Sequence, residues 1–202
     1  MTNVTADFAI SVDGFTAGIN QRLDEPFGDA ADGRSARVPL TRWMIEEREA
    51  NDAAIKGILT AKAYIMGRNM FSPGRGAWDL DWRGWWGEEP PYHGPVFVLT
   101  HTPREPLPME GGTTFHFVTD GIESALEQAR AAAGEKGVSL AGGASVAQQY
   151  LAAGLLDEIV VSIVPNVLGG GARLFENLGD ARLEQVESVA APGVTHIRYA
   201  RV

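Results

Sequence analysis

The sequence predicts an α/β protein with three layers, in which a mostly parallel central sheet carries helices on both faces and ends in an antiparallel hairpin. Short apolar segments recur along the 202 residues, as is typical of strands buried on both faces. Segments with helical spacing separate them, and this alternation favours parallel strands. The last two segments alternate apolar and polar residues about Pro192-Gly193, which indicates the hairpin.

The predicted elements follow one another in a regular order. The strands cover Val4 to Val12, Ala61 to Met66, Pro95 to Thr100, Thr114 to Val118, Val138 to Ala141, Glu158 to Val164, Leu183 to Val189 and Val194 to Val202. Helical spacing predicts a first helix from Thr41, its N-cap, to about Ile58, a second from Ile122 to Ala133 and a third from Ala144 to Gly154. We expect one domain over residues 1–202, since a chain of this length can bury a single core.

One long irregular segment, residues 72–94, is rich in glycine and proline and holds four of the five tryptophans. Loops of this length inside a compact domain are more often functional than idle. Trp82, Trp85 and Trp86 are placed to stack on a flat heterocyclic ligand. The alternative, which the sequence leaves equally open, is that they pack a core or a dimer face.

The composition argues against several kinds of partner. The net charge of −9, with scattered basic residues, disfavours nucleic acid as a partner. The chain contains no cysteine, and its four histidines lack metal-binding spacing, so we expect no metal site. Because no apolar run is long enough to cross a bilayer and the first residues do not form a secretion signal, we expect no membrane contact and a cytoplasmic location.

Three turns at strand ends suit a dinucleotide. Gly67 and Arg68 follow a central strand, where backbone amides and a guanidinium can meet phosphate. Gly142 and Gly143 join a strand to a helix, whose first turn favours an anion. A third turn begins at Thr100. Each motif alone is also compatible with a plain turn or a surface arginine, and none is the GxGxxG pattern of Rossmann dehydrogenases.

Taken in order, five short motifs resemble the dihydrofolate reductase superfamily, and more narrowly the riboflavin-biosynthesis reductase domain and its stand-alone bacterial relatives. The motifs are Ser11-Val12-Asp13-Gly14, residues 66–71 (MGRNMF), residues 96–101, the Gly142-Gly143 turn, and residues 155–158 leading to 165–171 (PNVLGGG). The resemblance covers the chain from Phe8 to about Glu176.

The resemblance implies an NADPH-dependent reductase of a small heterocyclic substrate, either pterin- or folate-like or similar to a riboflavin-pathway pyrimidine. It also implies a homodimer, for which we expect residues 167–175 and the terminal strands to form part of the interface. The cofactor contacts that it implies are Gly67, Arg68 and Asn69 at a phosphate, Thr100 and His101 at the 2′-phosphate, Gly142, Gly143, Ala144, Ser145 and Val146 along the pyrophosphate and nicotinamide, and Ala9, Thr16 and Ala17. The loop from Asp13 to Ala17 would act as a lid over the nicotinamide.

The proton-handling group is less well defined by the sequence. Asp13, at the end of a strand, is one candidate, and its alternative role is that of an Asp-Gly turn residue. Folate reductases carry one acid on the first helix, and Glu46, Glu47, Glu49 and Asp52 all compete for that position. We take Glu46 and Asp52 as the candidates, although such a charged run is also typical of a solvated helix face. A non-catalytic ligand-binding protein that keeps this fold is the alternative function.

Overall fold

The computed structural model describes residues 2–202, which form eleven strands, five α-helices and one short 3-10 helix, Glu110–Gly112. The strands are β1 (Val4–Ser11), β2 (Phe15–Ala17), β3 (Ala63–Gly67), β4 (Pro95–Leu99), β5 (Leu107–Pro108), β6 (Thr114–Val118), β7 (Val138–Leu140), β8 (Glu158–Val164), β9 (Ala172–Arg173), β10 (Leu183–Ala191) and β11 (Val194–Arg201). The helices are α1 (Arg37–Ile45), α2 (Asp52–Ile58), α3 (Arg68–Phe71), α4 (Gly121–Ala133) and α5 (Ala144–Ala152).

Nine strands form one sheet in the order β10-β11-β8-β1-β7-β3-β4-β6-β5. The six neighbouring strands from β8 to β6 run parallel. The outer strands β11, β10 and β5 pair in the antiparallel sense. The predicted architecture is therefore confirmed, including the hairpin made by β10 and β11.

One face of this sheet is covered by α4 and α5. The side chains on this face of β1 are buried in the core: Val4, Ala6, Phe8 and Ile10. The buried side chains of α4 form one helical stripe: Ala125, Leu126, Ala129 and Ala133. Burial of a side chain such as Leu126 contributes roughly 1.5–3 kcal/mol. This layer therefore holds the parallel strands together from one side.

The opposite face of the sheet carries two separate apolar clusters. Leu40 and Trp43 of α1 pack against Phe15 and Val164 at the β8 side. Phe71 and its neighbours, including part of the tryptophan-rich segment, pack on β3, β4 and β6. Neither of these clusters includes a side chain from β1 or β7. The sheet is therefore left open along its middle on this face, and the opening forms a cleft.

The first helix differs from the prediction. One helix was expected from Thr41 to about Ile58, but α1 and α2 are separated by a turn over residues 46–51. Thr41 lies within α1, where its Oγ1 donates to the carbonyl oxygen of Arg37 at 2.9 Å. Buried Asn51 holds the turn, since its Nδ2 donates to the carbonyl oxygen of Glu47 at 2.8 Å. A side-chain bond of this kind competes with helix continuation.

Two short pairings have no counterpart in the prediction. β2 and β9 form a second, antiparallel sheet, and β5 adds an edge strand beside β6. The strands β2, β9 and β5 are three, two and two residues long. Segments of that length are too short to show an alternating pattern, so their sequences carry no strand signal.

Candidate active site

The open face of the sheet forms a cleft of about 1670 Å³. All thirteen residues predicted to contact the cofactor line it: Ala9, Thr16, Ala17, Gly67, Arg68, Asn69, Thr100, His101, Gly142, Gly143, Ala144, Ser145 and Val146. Eleven of them lie at or just after the carboxyl ends of β1, β3, β4 and β7, where parallel sheets bind ligands, and the other two, Thr16 and Ala17, belong to β2. The cleft exceeds the roughly 300–1,000 Å³ of a common small-molecule pocket, so it can hold two ligands side by side.

Glycine backbone forms the middle of the cleft. The Gly67 amide donates to the carbonyl oxygen of Gly142 at 2.8 Å, which joins the ends of β3 and β7. A Cβ at Gly67 would lie 3.0 Å from a methyl group of Val146. Gly142 has φ +118°, and a Cβ there would lie 3.2 Å from Met70. A side chain would therefore be crowded at Gly67 and both crowded and strained at Gly142, so glycine backbone forms this part of the cleft wall.

The start of α5 supplies hydrogen-bond donors to this surface. The peptide bond between Gly142 and Gly143 is cis, and α5 begins immediately after it. Within the first turn, the amides of Val146 and Ala147 donate to the carbonyl oxygen of Gly143. The amides of Ala144 and Ser145 precede the first intrahelical bonds and lie at the positive end of the helix. Phosphate oxygens are the ligands that such a helix start favours.

Arg68 gives the cleft a cationic corner. Its guanidinium stacks 3.9 Å from the centre of the Trp78 ring, and its Nη1 donates to Oγ1 of Thr102 at 3.3 Å. Its Nε is buried and makes no hydrogen bond to residues 2–202. Burial, followed by the charge of Arg75, lowers the pKa of Arg68 below its usual value. The guanidinium remains charged, and the unused donor suits an anionic oxygen.

Two neighbours extend this corner. The guanidinium of Arg75 donates to the side-chain oxygen of Asn69. His101 is exposed and follows Thr100, whose Oγ1 accepts from the amide of Thr102 at 3.1 Å. Arg68, Arg75 and His101 all line the cleft. Arg68 and Arg75 lie close enough to interact electrostatically, so a phosphate group placed here would face two guanidinium groups.

The segment predicted as a lid is tied to another part of the chain. Phe15 and Ala17 pair with β9, and the guanidinium of Arg173 lies 4.4 Å from the centre of the Phe15 ring. Oγ1 of Thr16 donates to the carbonyl oxygen of Ala172 at 3.2 Å. Thr16 and Ala17 border the cleft, so this small sheet forms one of its edges.

The structure places Asp13 outside the residues that line the cleft. Its two carboxylate oxygens accept hydrogen bonds from the amides of Leu168, at 3.1 Å, and Gly169, at 2.7 Å. Desolvation acts to raise the pKa of Asp13, but hydrogen bonds from Ser11, Gly169 and Leu168 outweigh it and lower the pKa from 3.8. These contacts tie the Asp13 turn to residues 168–169 of the chain.

The candidate acids of the first helix also lie outside the cleft. Glu46 pairs with Arg42 at 2.7 Å, and Asp52 pairs with Lys56 at 2.6 Å. All four of these side chains are at least half exposed. Glu47 and Glu49 do not line the cleft either. The chain turns at residues 46–51, and this turn carries the acidic run away from the sheet.

A different carboxylate, Asp7, does face the cleft. It lies in β1 between Phe8 and Ala6, which point to the opposite face, and shares its own face with Ala9. Burial raises the pKa of Asp7 from 3.8 to about 6. The sequence contains one signal for it, since Asp7 is the only charged residue of an otherwise strand-like segment, VTADFAIS. Sequence reasoning alone assigned it no role.

The other end of the cleft mixes apolar walls with one buried polar chain. Ser162 Oγ lies 2.8 Å from Nδ1 of His196, and Nε2 of that ring lies 2.9 Å from Oδ1 of Asn51. Burial lowers the pKa of His196 from 6.5, which favours the neutral ring. Trp85 and Trp86 line the cleft. Trp82 instead packs on Trp85 and donates to the carbonyl oxygen of Phe71 at 2.8 Å.

Comparison with known proteins decides the family. The model of the RibD C-terminal domain matches residues 2–197. The chain belongs to the RibD C-terminal domain family. A solved structure from Shewanella sp. PV-4, described as that of a putative riboflavin biosynthesis protein, is 24% identical with a TM-score of 0.62, over 100% of this chain and 99% of that one. No curated protein matches the chain.

Two further solved structures share the fold of this RibD C-terminal domain protein. Acinetobacter baumannii RibD is 15% identical with a TM-score of 0.58, and the match covers 100% of this chain but 58% of that one. The chain thus spans a little over half of that RibD. Dihydrofolate reductase from Enterococcus faecalis, solved with NADP(H), is 17% identical with a TM-score of 0.54, over 98% and 96% of the two chains.

Neither a cluster of metal-binding side chains nor a membrane-spanning helix occurs within residues 2–202. These residues contain no group of three or more His, Asp or Glu side chains arranged to hold a metal ion. No helix in the same part of this RibD C-terminal domain protein is long and apolar enough to cross a membrane.

Proposed function

We propose that this chain is an NADPH-dependent reductase that transfers a hydride to a small heterocyclic substrate. The observation that carries the proposal is the convergence of thirteen residues, from four strand ends and β2, on one cleft that has glycine backbone in its wall and a cationic corner at one end. Membership of the RibD C-terminal domain family and the fold shared with a dihydrofolate reductase solved with NADP(H) support it.

The residues of the cleft fit the parts of the cofactor. Arg68, Arg75 and His101 would hold the 2′-phosphate, and the amides of Ala144 and Ser145 would hold the pyrophosphate. NADPH would supply a hydride when bound. The protein would position the nicotinamide over the Gly142-Gly143 backbone and exclude water beneath the lid formed by β2.

The remaining space suits a flat ring. Trp85 and Trp86 provide aromatic surface, and α1 and α2 provide apolar side chains such as Met44 and Ile58. Polar side chains, among them Asp7, Asn51 and His196, line the same end, so a flat ring that carries hydrogen-bonding atoms is favoured. A pterin- or folate-like compound and a riboflavin-pathway pyrimidine both meet this description.

The first experiment is calorimetric titration of the protein with NADPH and with NADH. We expect NADPH to bind more tightly, and we expect Arg68→Ala to weaken NADPH binding by roughly 10- to 100-fold, because a charge-assisted hydrogen bond is lost. NADH binding should change little. Exposed Arg182 provides the matched control, Arg182→Ala. Equal affinity for both nucleotides, or no effect of Arg68→Ala, would contradict the 2′-phosphate assignment.

The position of the helix acids favours a second candidate, a non-catalytic nucleotide-binding protein. None of Glu46, Glu47, Glu49 or Asp52 lines the cleft, so the proton source expected from the resemblance is missing from it. Oxidation of NADPH in the presence of pterins and pyrimidines, followed by absorbance, separates the two functions. Binding without oxidation of any compound supports the non-catalytic role.

We also propose that the protein works as a homodimer through residues 167–175 and the terminal strands. Val167 and Phe175 are 61% and 40% exposed, and Val186 and Val189 on the edge strand β10 are 49% and 47% exposed. Apolar side chains that are exposed in a single chain are typical of a surface that a second subunit covers. Light scattering should give twice the chain mass of 21.7 kDa, and Val186→Glu, at a position outside the cleft, should lower it.

A further inference from the structure

Asp7 occupies an unusual position for a charged residue. It lies within the central strand β1, and β8 and β7 pair with β1 on its two sides. The last β1–β7 pair joins Ala6 to Leu140, so Asp7 stands where β7 gives way to the Gly142-Gly143 turn. Ala9 is the next residue on the same face, about 7 Å along the strand. Asp7 therefore lies beside the predicted nicotinamide site, one position further from the carboxyl end of β1 than Ala9 on the same face of the strand.

The carboxyl group has no partner in residues 2–202. It makes no side-chain hydrogen bond and no ion pair, and its in-register neighbour on β8 is Val160. Partial burial of an ionisable group without a partner costs free energy. Because no contact in the fold compensates for that cost, a ligand is the natural partner for this carboxyl group.

The other titratable groups around Asp7 are already engaged. Both ring nitrogens of His196 on β11 are in hydrogen bonds. The hydroxyl of Tyr64 on β3 donates to the carbonyl oxygen of Ala61 at 2.9 Å. Arg198 on β11 bridges Glu158 of β8 and Glu187 of β10. Arg37 of α1 is a permanent cation and releases no proton.

We propose that Asp7 exchanges a proton with a ring nitrogen of the substrate, which is a flat nitrogen heterocycle seated between Ala9 and the tryptophans. This inference rests on the proposed reductase function. As the hydride from NADPH forms a C–H bond at the carbon of a C=N group, the π electron pair moves to the nitrogen. The nitrogen takes the Asp7 proton, NADP⁺ remains, and solvent returns a proton to the carboxylate.

The test uses 2,4-diaminopyrimidine, a flat ring whose nitrogen can take up a proton. Calorimetric titrations from pH 5 to 8, in buffers of different ionisation enthalpy, measure both affinity and proton uptake. They are run on the NADPH-saturated protein and its variants Asp7→Asn, Asp7→Glu and Asp180→Asn. Asp180 is an exposed carboxylate outside the cleft, so its variant is the matched control.

Because the bound pair shares one proton, affinity should peak between the pKa of Asp7, about 6, and that of the probe nitrogen. Asp7→Asn should weaken binding roughly 100-fold and remove the pH dependence, since a buried charge pair is lost. Asp7→Glu should restore part of both, and Asp180→Asn should behave as the wild type. The asparagine is isosteric and uncharged, so the fold should be retained.

Two results would overturn the proposal. One is an unchanged affinity and pH profile in Asp7→Asn. The other is a wild-type protein that binds NADPH but not the probe, which would leave the cofactor assignment intact. If NADPH itself fails to bind, the reductase function fails. In that case the probe is titrated without NADPH. Probe binding that is lost in Asp7→Asn would support the Asp7 site independently of the reductase function, whereas absent or unchanged probe binding would overturn the Asp7 proposal too.

Discussion

The two ends of the cleft are built in different ways. The cofactor end consists of backbone and small residues at strand ends, such as Gly67, Gly142 and Gly143. The substrate end consists of side chains from distant parts of the chain, with Asp7, Asn51 and His196 separated by many residues. The first kind of site leaves a local sequence pattern, whereas the second depends on the finished fold. The following predictions test this contrast.

The largest effect is expected at the substrate end, from Asp7→Asn. The pKa of Asp7 is about 6 when folded and near 3.8 when unfolded, so the folded protein prefers the protonated form. As the pH rises, ionisation of Asp7 begins to lower the free energy of unfolding near pH 4, and the full loss is reached above pH 6. Asp7→Asn should therefore raise the free energy of unfolding by up to about 3 kcal/mol at pH 7.5, but by about 1 kcal/mol at pH 4.5.

Urea unfolding at both pH values measures the difference. Asp180→Asn, which removes an exposed carboxylate, should change stability little at either pH. If Asp7→Asn stabilised the protein equally at both pH values, the gain would not come from removing a buried charge. The raised pKa of Asp7 would then be contradicted.

The second effect tests the cofactor end. Gly142→Ala places a Cβ 3.2 Å from Met70 at φ +118°, so we expect a loss of about 2 kcal/mol in thermal unfolding of the protein without ligand. Gly57→Ala in α2 meets nothing within 4 Å and should stabilise by up to about 1 kcal/mol. Similar effects of the two changes would show that backbone geometry does not define the cofactor end.

A smaller loss is expected from Asn51→Ala at the substrate end. The change leaves Nε2 of His196 without its partner and frees the turn between α1 and α2. We expect the free energy of unfolding to fall by about 1.5 kcal/mol. Asn3→Ala, at an exposed position, should have no effect in the same urea titration. If Asn51→Ala and Asn3→Ala changed the free energy of unfolding equally, the hydrogen bonds that join Asn51, His196 and Ser162 would contribute nothing to stability.

The smallest effects are expected from Glu46→Ala and Asp52→Ala. Each removes an exposed ion pair on a helix, worth about 0.3 to 0.5 kcal/mol. NADPH and probe binding should stay unchanged in calorimetry. A large loss of binding or turnover in either variant would restore the first-helix acid as the proton-handling group and displace Asp7.

The sheet, its parallel centre and its hairpin follow from the sequence because buried strands and amphipathic helices each leave a periodic pattern. Gly67 and Gly142 could be singled out because glycine at a strand end signals close backbone approach. The division of the first helix could not be predicted, since Asn51, which holds the turn through Glu47, is itself buried against His196 of the distant strand β11. The orientation of Asp7 depends on which face of β1 receives α4 and α5.

The pairing of β2 with β9 makes the lid and a distant segment one mechanical unit. Gly14 accepts a hydrogen bond from Leu174, Asp13 accepts two from residues 168–169, and the Val12 amide donates to Asn166. The lid therefore cannot lift unless this second segment moves with it. Amide hydrogen exchange in residues 12–17 and 166–174 should share one opening rate, and a bound nucleotide should slow both together.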